Sequence, residues 1–239
     1  MLTDAYGNQL TTSTGLARDN YDIGLRAFLS ANYGSQEAFS QAIEADPNFA
    51  LAYVGLARSL ISSGKISEAK NSLEKSKKFV GNATDREKSH FLCVELALSG
   101  SSKKARDAVH KHVSIWPRDA LIAQMNTSVF GLIGFSGEAS REWDLLEYTE
   151  KLLPHYDNDW WMMSMHAISL CETGQTFKSM ELMEKALNLN PRNANAAHFF
   201  AHILYEENEV SAGREYLNVW MPNYDKRSTL HGHLSWHQA

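Results

Sequence analysis

Apolar residues recur along most of this chain at the three- and four-residue spacing of one face of an α-helix. Tyr53, Leu56, Ala57 and Leu60 follow this spacing in one such stretch. No stretch shows the strict alternation of apolar and polar residues that is typical of a half-buried strand. The pattern therefore predicts an all-α protein.

Prolines interrupt this helical pattern at nearly regular intervals. A proline ends a helix because it has no backbone N–H and its ring clashes with the preceding turn. The intervals are 70, 37, 37 and 31 residues, and Gly81 lies near the middle of the longest one; the prolines are Pro47, Pro117, Pro154, Pro191 and Pro222. A period of about 34 to 37 residues is typical of repeats built from pairs of helices.

A glycine lies roughly midway between successive breaks. Glycine adopts the left-handed conformation that ends a helix, so it is expected in the turn that joins the two helices of one pair. The four glycines at these positions are Gly64, Gly100, Gly134 and Gly174. Each unit is therefore predicted to contain a helix, a glycine turn, a second helix and a break.

The stretch 160–191 matches the tetratricopeptide repeat best, because Ala167 supplies the small residue of the first helix and Pro191 ends the unit. Stretches 50–81 and 86–117 also match well, whereas 13–46 and 120–154 match less closely. We therefore predict a tetratricopeptide-like right-handed superhelical solenoid of about six antiparallel helix pairs, with the last pair incomplete. We expect a single domain spanning residues 1–239.

The composition argues against several classes of protein. The net charge is −5 over 239 residues, so no broad basic surface is available to bind nucleic acid. The N-terminus lacks the basic and apolar regions of a signal peptide, and no apolar run approaches the roughly 18 residues that cross a membrane. We therefore expect a cytoplasmic protein without a membrane partner. Cys93 and Cys171 lie in apolar helical stretches, which indicates buried free thiols.

The first helix of each tetratricopeptide pair is expected to line a concave groove that binds partners. At these positions the chain carries histidine and aromatic residues, not the lysine and arginine that bind a peptide carboxylate. We expect the groove to take a peptide or protein partner, or a small polar ligand. The candidate ligand-binding residues are Glu87, His90, Trp161, His198, His202, Tyr205 and Trp236.

Four histidines form two pairs with helical spacing. His198 and His202 share one helix face, and His233 and His237 share a face of the next first helix. Because adjacent first helices of a solenoid pack side by side, the four imidazoles are expected to converge. One interpretation is a site for a divalent metal such as zinc, held by all four rings.

Two other interpretations of the four histidines need no metal. In the first, the rings act as acids, bases or hydrogen-bond donors in a ligand pocket or in an enzyme of hydrolase or lyase type. In the second, the histidines are structural: they donate hydrogen bonds to backbone carbonyls and stack on Tyr205 and Trp236. Apart from the metal, the sequence predicts no cofactor.

Several short elements of the chain resemble the tetratricopeptide repeat protein 38 family. The segment AFSQAIEADPNFALAYVGLA resembles its AxxxDPxFxxA pattern, TDREKSH its RExxH element, HFFAHI its HxxAHV element and HGHLSWHQA its HxxWH element. The elements occur in family order over essentially the whole chain. The resemblance implies a cytoplasmic repeat protein and does not indicate a catalytic activity.

The chain departs from this family in two ways. The family often has a glutamate three residues after the second histidine of HxxAH, where this chain has Tyr205 followed by Glu206. Family members also run to about twice this length, so the resemblance implies a fragment or a truncated protein. We expect a last helix over residues 228–239 that exposes Leu230, Leu234 and Trp236 and frays or mediates self-association.

Overall fold

The computed structural model describes residues 2–238 and contains thirteen α-helices within that range. The all-α class predicted from the sequence is confirmed. The helices are α1 (Gly15–Leu29), α2 (Ser35–Ala45), α3 (Ala50–Ser62), α4 (Ile66–Val80), α5 (Asp85–Leu98), α6 (Ser102–Ile115), α7 (Ala120–Ala123), α8 (Arg141–Leu152), α9 (Trp160–Glu172), α10 (Thr176–Leu189), α11 (Ala194–Glu206), α12 (Val210–Trp220) and α13 (His231–Gln238). Short 3₁₀ turns at Leu153–His155 and Met221–Asn223 contain two of the predicted helix-ending prolines.

The turns between paired helices lie where three of the four midway glycines predict them. Gly64, Gly100 and Gly174 have φ angles of +73°, +79° and +77°, a conformation that side-chain-bearing residues rarely adopt. In α3/α4, α5/α6 and α9/α10 the glycine therefore ends the first helix and allows the second to fold back. Six pairs with the last one incomplete comprise eleven helices, so the described part of the chain contains two helices more than predicted.

The prediction for Gly134 was wrong. The first helix of that unit, α7, has only four residues, and turns follow it to Ser140. Three glycines within seven residues weaken helix formation here, and the left-handed glycine is Gly137. Gly134 has a different role, because a Cβ atom there would lie 2.2 Å from the carbonyl oxygen of Val129.

A short hairpin at the N-terminus was not predicted. Strands β1 (Leu2–Thr3) and β2 (Gln9–Leu10) pair in antiparallel fashion. The Oδ1 atom of Asp4 accepts hydrogen bonds from the backbone N–H groups of Tyr6 (3.0 Å) and Asn8 (2.8 Å). Strands of two residues are too short to show an alternating pattern of apolar and polar residues. The sequence feature that indicates this hairpin is the presence of turn-forming residues such as Asp4.

The chain divides into two compact units. The first comprises residues 2–28 and Gly34–Asn126, and the second comprises Leu29–Tyr33 together with residues 127–238. In the first unit the fully buried ring of Phe39 fills a space that needs glycine on two neighbouring helices. A Cβ atom would lie 2.9 Å from this ring at Gly24 and 2.5 Å from it at Gly55.

Helices α9 and α10 form the centre of the second unit. Ala167 of α9 is fully buried, and its carbonyl oxygen accepts a 2.6 Å hydrogen bond from Ser179 Oγ of α10. This close approach is the one predicted for a small residue in the first helix. Ala57 is likewise fully buried, whereas Ala201 is partly exposed.

The two cysteines, Cys93 and Cys171, are both buried and unpaired, as predicted. Among the described helices, none combines the length and the apolar character needed to cross a bilayer.

Candidate metal centre

Two helices of the second unit present two histidines each to one point. His198 and His202 lie one turn apart on α11, and His233 and His237 lie one turn apart on α13. Residues four apart in an α-helix lie on the same face. Each helix therefore supplies a pair of rings, and the two pairs face each other.

The four rings converge through their Nε2 atoms. The Nε2 atom of His198 lies 2.9 Å from that of His202 and 2.8 Å from that of His233, and the Nε2 atoms of His233 and His237 are 3.0 Å apart. One nitrogen from each ring lies within 4.8 Å of the nitrogens of the other three. The structure thus brings together all four residues of the predicted histidine cluster.

Hydrogen bonds among neutral imidazoles account for only part of this arrangement. An imidazole nitrogen carries either one hydrogen or one lone pair, so it forms one strong hydrogen bond at a time. The contacts form a chain in which His198 and His233 each have two partners. At most two of the three contacts can therefore be hydrogen bonds. A cation at the centre would accept one lone pair from every ring.

The environment keeps most of these rings in the neutral form that binds metal. Burial, with repulsion from the neighbouring rings, lowers the pKa of His198 to about 2. Burial likewise lowers the pKa of His237 to about 4, and it lowers the pKa of His202. Metal ions compete with protons for the same nitrogen lone pair. These three rings are therefore available to a metal ion at neutral pH without first losing a proton.

An apolar cluster behind the histidines holds α11 and α13 in place. Leu234, which lies between the two histidines of α13, is fully buried. It belongs to a cluster with Ala194, Leu217, Met221 and Tyr224, which come from α11, α12 and the turn that follows α12. The expectation that Leu234 would be exposed was therefore wrong, because α12 supplies the apolar partner. Leu230 is partly buried and Trp236 is 70% exposed, and Ala239 lies outside the described residues.

A distant stretch of the chain also fixes the two histidine helices. The carbonyl oxygens of Leu29 and Ser30 accept hydrogen bonds from Asn195 Nδ2 (3.0 Å) and Ala194 N (2.9 Å) at the start of α11. The carbonyl oxygen of Ala31 accepts a 2.6 Å hydrogen bond from Tyr224 Oη, just before α13. Sequence spacing gives no sign of these contacts.

A cavity of about 310 Å³ lies beside the histidine cluster, between α11, α12 and α13. Tyr205 and Trp236, both predicted as ligand-binding residues, line this cavity, and their side chains are 63% and 70% exposed. The lining also includes His202, Glu206, Arg214 and His237. Arg214 was not predicted, because nothing in its local sequence distinguishes it from other exposed charged residues.

Glu87 lies in the first unit and is fully buried. The prediction that it lines an open groove was therefore wrong. It forms a capping box with Thr84 at the start of α5, in which Glu87 Oε2 accepts from Thr84 N (2.9 Å) and Thr84 Oγ1 accepts from Glu87 N (3.2 Å). It also accepts a 2.9 Å hydrogen bond from Thr11 N. These contacts provide hydrogen-bond partners for backbone N–H groups at the start of α5 and in the loop that contains Thr11.

His90 is also fully buried, in a charged cluster centred on Asp119. The Oδ2 atom of Asp119 contacts Arg86 and lies 2.9 Å from His90 Nδ1 and 3.1 Å from His112 Nε2. Burial opposes ionisation of Asp119, but the interactions with His90 and Arg86 outweigh it and hold its pKa well below the usual value. The prediction that His90 faces a ligand groove was wrong, because the residue completes this internal network.

Trp161 is fully buried as well, and its ring packs edge-on against Tyr156 with the centroids 5.6 Å apart. It therefore serves the core of the second unit and offers no surface to a ligand. Of the predicted ligand-binding residues, His198, His202, Tyr205 and Trp236 lie together with His233 and His237.

The chain resembles a solved structure in its fold. A chain of the APC/C hetero-tetramer Cut9–Hcn1 aligns with 93% of this chain at a TM-score of 0.53 and 13% sequence identity. The fold is tetratricopeptide-like. The alignment covers 43% of that chain, and at this level of identity the likeness concerns the fold alone.

Two other solved structures resemble the chain more weakly. PilW, a type IV pilus biogenesis factor, has a TM-score of 0.49 and 13% identity, covering 93% of this chain and 100% of its own. YrrB, a TPR protein with an unusual peptide-binding site, has a TM-score of 0.44 and 16% identity, covering 83% of this chain and 98% of its own. No family model matches the sequence.

Proposed function

We propose that this chain is a helical-repeat binding protein whose functional site is a four-histidine metal centre. The observation that carries the proposal is the convergence of Nε2 atoms from His198, His202, His233 and His237. Four imidazoles without a carboxylate suit zinc and other first-row transition metals, and they disfavour magnesium and calcium, which prefer oxygen ligands.

The spacing of the nitrogens is close to what a tetrahedral ion requires. Zn–N bonds of about 2.0–2.1 Å place the nitrogens of a tetrahedral site about 3.3 Å apart. The three short Nε2–Nε2 distances are 2.8, 2.9 and 3.0 Å. Small ring rotations would separate the nitrogens by the remaining few tenths of an ångström, and no change in the helices is required.

Four protein ligands are typical of a structural zinc site, because catalytic zinc usually keeps one position open for water or substrate. This argument favours an ion that holds α11 against α13 over the hydrolase or lyase alternative. The ion would then stabilise the folded second unit, since a ligand that binds only the folded state adds its binding free energy to stability.

The experiment uses protein purified without an affinity tag, and it measures zinc per chain by mass spectrometry after dialysis. We expect one zinc per chain, and we expect cobalt substitution to give the visible absorption of a tetrahedral site. His198→Ala is expected to abolish stoichiometric binding. His231→Ala is the matched control, because His231 lies on the same helix but stacks on Tyr224 with ring centroids 6.1 Å apart.

Circular dichroism distinguishes loss of the site from loss of the fold. If His198→Ala does not fold, His237→Gln tests the same site at a more exposed position. Zinc binding by both folded variants with unchanged affinity would refute the metal centre, and so would a wild-type protein that binds no transition metal at micromolar concentration.

The resemblance to the tetratricopeptide repeat protein 38 family gains support from where its elements lie. HxxAH contributes His198 and His202 and HxxWH contributes His233 and His237, so these two elements supply the whole cluster. RExxH contributes Arg86 and His90, which both contact Asp119. We propose membership of this family on that basis.

Binding of a protein partner is a second proposed function. The aligned Cut9–Hcn1 structure is a hetero-tetramer, and the second unit of this chain exposes large aromatic rings. Phe130 and Phe135 form an edge-on pair with centroids 5.8 Å apart, and they are 60% and 73% exposed. Exposed apolar surface of this kind is typical of a protein interface.

Cross-linking in cells with wild-type protein and with the double variant Phe130→Ser/Phe135→Ser tests this proposal. We expect the double variant to lose a partner that the wild type retains. Phe177→Ser is the control, because Phe177 is equally exposed at 75% but lies on α10. Identical cross-linked species for all three proteins would refute the proposed interface.

A further inference from the structure

The cavity beside the histidine cluster contains two opposite charges that do not pair with each other. Glu206, the last residue of α11, and Arg214, on α12, both line it. Among the described residues, neither side chain forms an ion pair or hydrogen bond. Both are exposed to solvent. A ligand that carries both a positive and a negative group can satisfy the two side chains together.

The same cavity has an apolar and aromatic side. Ala201, Val210 and Leu217 form part of its wall, and the indole of Trp236 lies at its edge. The Trp236 ring is 5.0 Å from the ring of His237 and 5.9 Å from that of His233, measured between centroids. An exposed tryptophan fixed at the edge of a cavity offers a flat surface on which an aromatic or apolar group can stack.

The size of the cavity sets the size of the occupant. A volume of about 310 Å³ lies at the small end of the range for ligand pockets, which is about 300–1,000 Å³. It is large enough for one amino acid with a large side chain and too small for a folded segment of a partner.

We propose that this cavity binds a free α-amino acid with an apolar or aromatic side chain. Arg214 binds the carboxylate, Glu206 binds the ammonium group and Trp236 packs against the side chain. The proposal deepens the proposed function in one respect: a metal ion bound by four neutral rings keeps its charge of +2, and that charge adds to the attraction for the carboxylate.

Three probes with the same phenyl group separate these contributions by calorimetry. L-Phenylalanine carries both charges, 3-phenylpropionate lacks the ammonium group and phenethylamine lacks the carboxylate. We expect zinc-loaded protein to bind L-phenylalanine at least about 10-fold more tightly than either analogue, as charged hydrogen bonds require. Equal or weaker binding of L-phenylalanine would overturn the proposal.

Paired variants assign each charge to its partner. Arg214→Gln is expected to reduce the affinity for L-phenylalanine and 3-phenylpropionate but not for phenethylamine. Glu206→Gln is expected to reduce the affinity for L-phenylalanine and phenethylamine only. Lys185→Gln and Glu184→Gln on α10 remove the same charges outside the cavity and should change nothing. Effects of equal size from the α10 pair would contradict the assignment.

The role of the metal is tested separately with metal-free protein. We expect zinc to strengthen binding of 3-phenylpropionate and to weaken binding of phenethylamine, because the charge that attracts a carboxylate repels an ammonium group. If the protein binds zinc but not L-phenylalanine at 10 mM (about 100-fold weaker than a 100 μM site), the amino-acid pocket is refuted and the metal centre stands. If the protein binds no zinc but still prefers L-phenylalanine over both analogues, the pocket stands and the metal centre is refuted.

Discussion

Replacement of Asp119 by asparagine tests whether the buried cluster in the first unit is structural. Asparagine keeps the size of the side chain and removes its charge. Asp119 is only 2% exposed, and its Oδ2 atom is shared by Arg86, His90 and His112. A structural cluster should lose stability in this variant, whereas a ligand site would lose binding and keep its stability.

The size of the effect follows from what the change leaves behind. Arg86 is 5% exposed, so its guanidinium would become a buried cation that has lost the carboxylate with which it forms an ion pair. Removing one partner of a buried ion pair costs about 3–5 kcal/mol. The network already contains two buried nitrogens without hydrogen bonds, Arg86 Nε and His90 Nε2, and the substitution would add to these unsatisfied groups. We therefore expect Asp119→Asn to lower the free energy of unfolding of the first unit by about 3–5 kcal/mol.

Hydrogen exchange with mass spectrometry is the suitable assay because it reports on the two compact units separately. Peptides from α5 and α6 should lose protection in Asp119→Asn, while peptides from α9 and α10 should not. Asp107→Asn is the control, since its ion pair with Lys103 is exposed, with the Asp107 side chain at 58%, and such pairs contribute about 0–1 kcal/mol. The double variant Arg86→Met/Asp119→Leu should recover part of the loss, because it leaves no unpaired charge.

The pH dependence of stability gives an independent check. The pKa of Asp119 in the folded protein lies well below its usual value, so its contribution is present above about pH 4 and is lost as the pH falls further. The acid-induced loss of stability should therefore be smaller in Asp119→Asn. A variant destabilised by less than about 1 kcal/mol, a typical value for an exposed pair, would refute the structural role assigned to the cluster.

Three further predictions concern the second unit. Leu234→Ala should cost about 2–5 kcal/mol in urea unfolding and weaken zinc binding in titrations, because a fully buried side chain behind the histidines is lost; unchanged values for both would contradict this packing. Ala167→Leu should overpack α9 against α10 and cost about 1–3 kcal/mol, which an unchanged melting temperature would disprove. In metal-free protein, the pKa of His198 is about 2 in the folded chain, so only the unfolded chain takes up a proton at this residue below about pH 6.5. The free energy of unfolding should therefore fall by about 2 kcal/mol between pH 6.5 and 5. His198→Gln should flatten that loss as measured by urea unfolding.

The sequence predicted those parts of the fold that depend on local conformational preference. Proline and left-handed glycine act on their own backbone, so Gly64, Gly100 and Gly174 identified their turns correctly. The prediction for Gly134 was wrong because glycine is needed there for the close approach of the Val129 backbone. The spacing of glycines along the sequence does not reveal such a contact. The hairpin at residues 2–10 was not predicted because its strands are too short to show an alternation of apolar and polar residues.

The candidate site was predictable to the extent that it lies on helix faces. Spacing of four residues placed His198 with His202 and His233 with His237, and the repeat placed the two helices near each other. Spacing could not show that Glu87 and His90 face inward, because their partners Thr11 and Asp119 are distant in sequence. Arg214 was missed for the same reason, since only the packing of α12 brings it to the cavity.

The contacts of Leu29–Tyr33 with α11 and the turn before α13 have a consequence for the time at which the site forms during synthesis. The carbonyl of Leu29 is made early, but its partner Asn195 follows 166 residues later. At about 5–20 residues per second, a ribosome needs roughly 10–30 s to bridge that interval. Throughout that period the end of α1 has no partner on α11. The histidine pairs can therefore be brought together only after synthesis has passed α13, and a nascent chain that stalls before α11 would expose this early segment to other proteins.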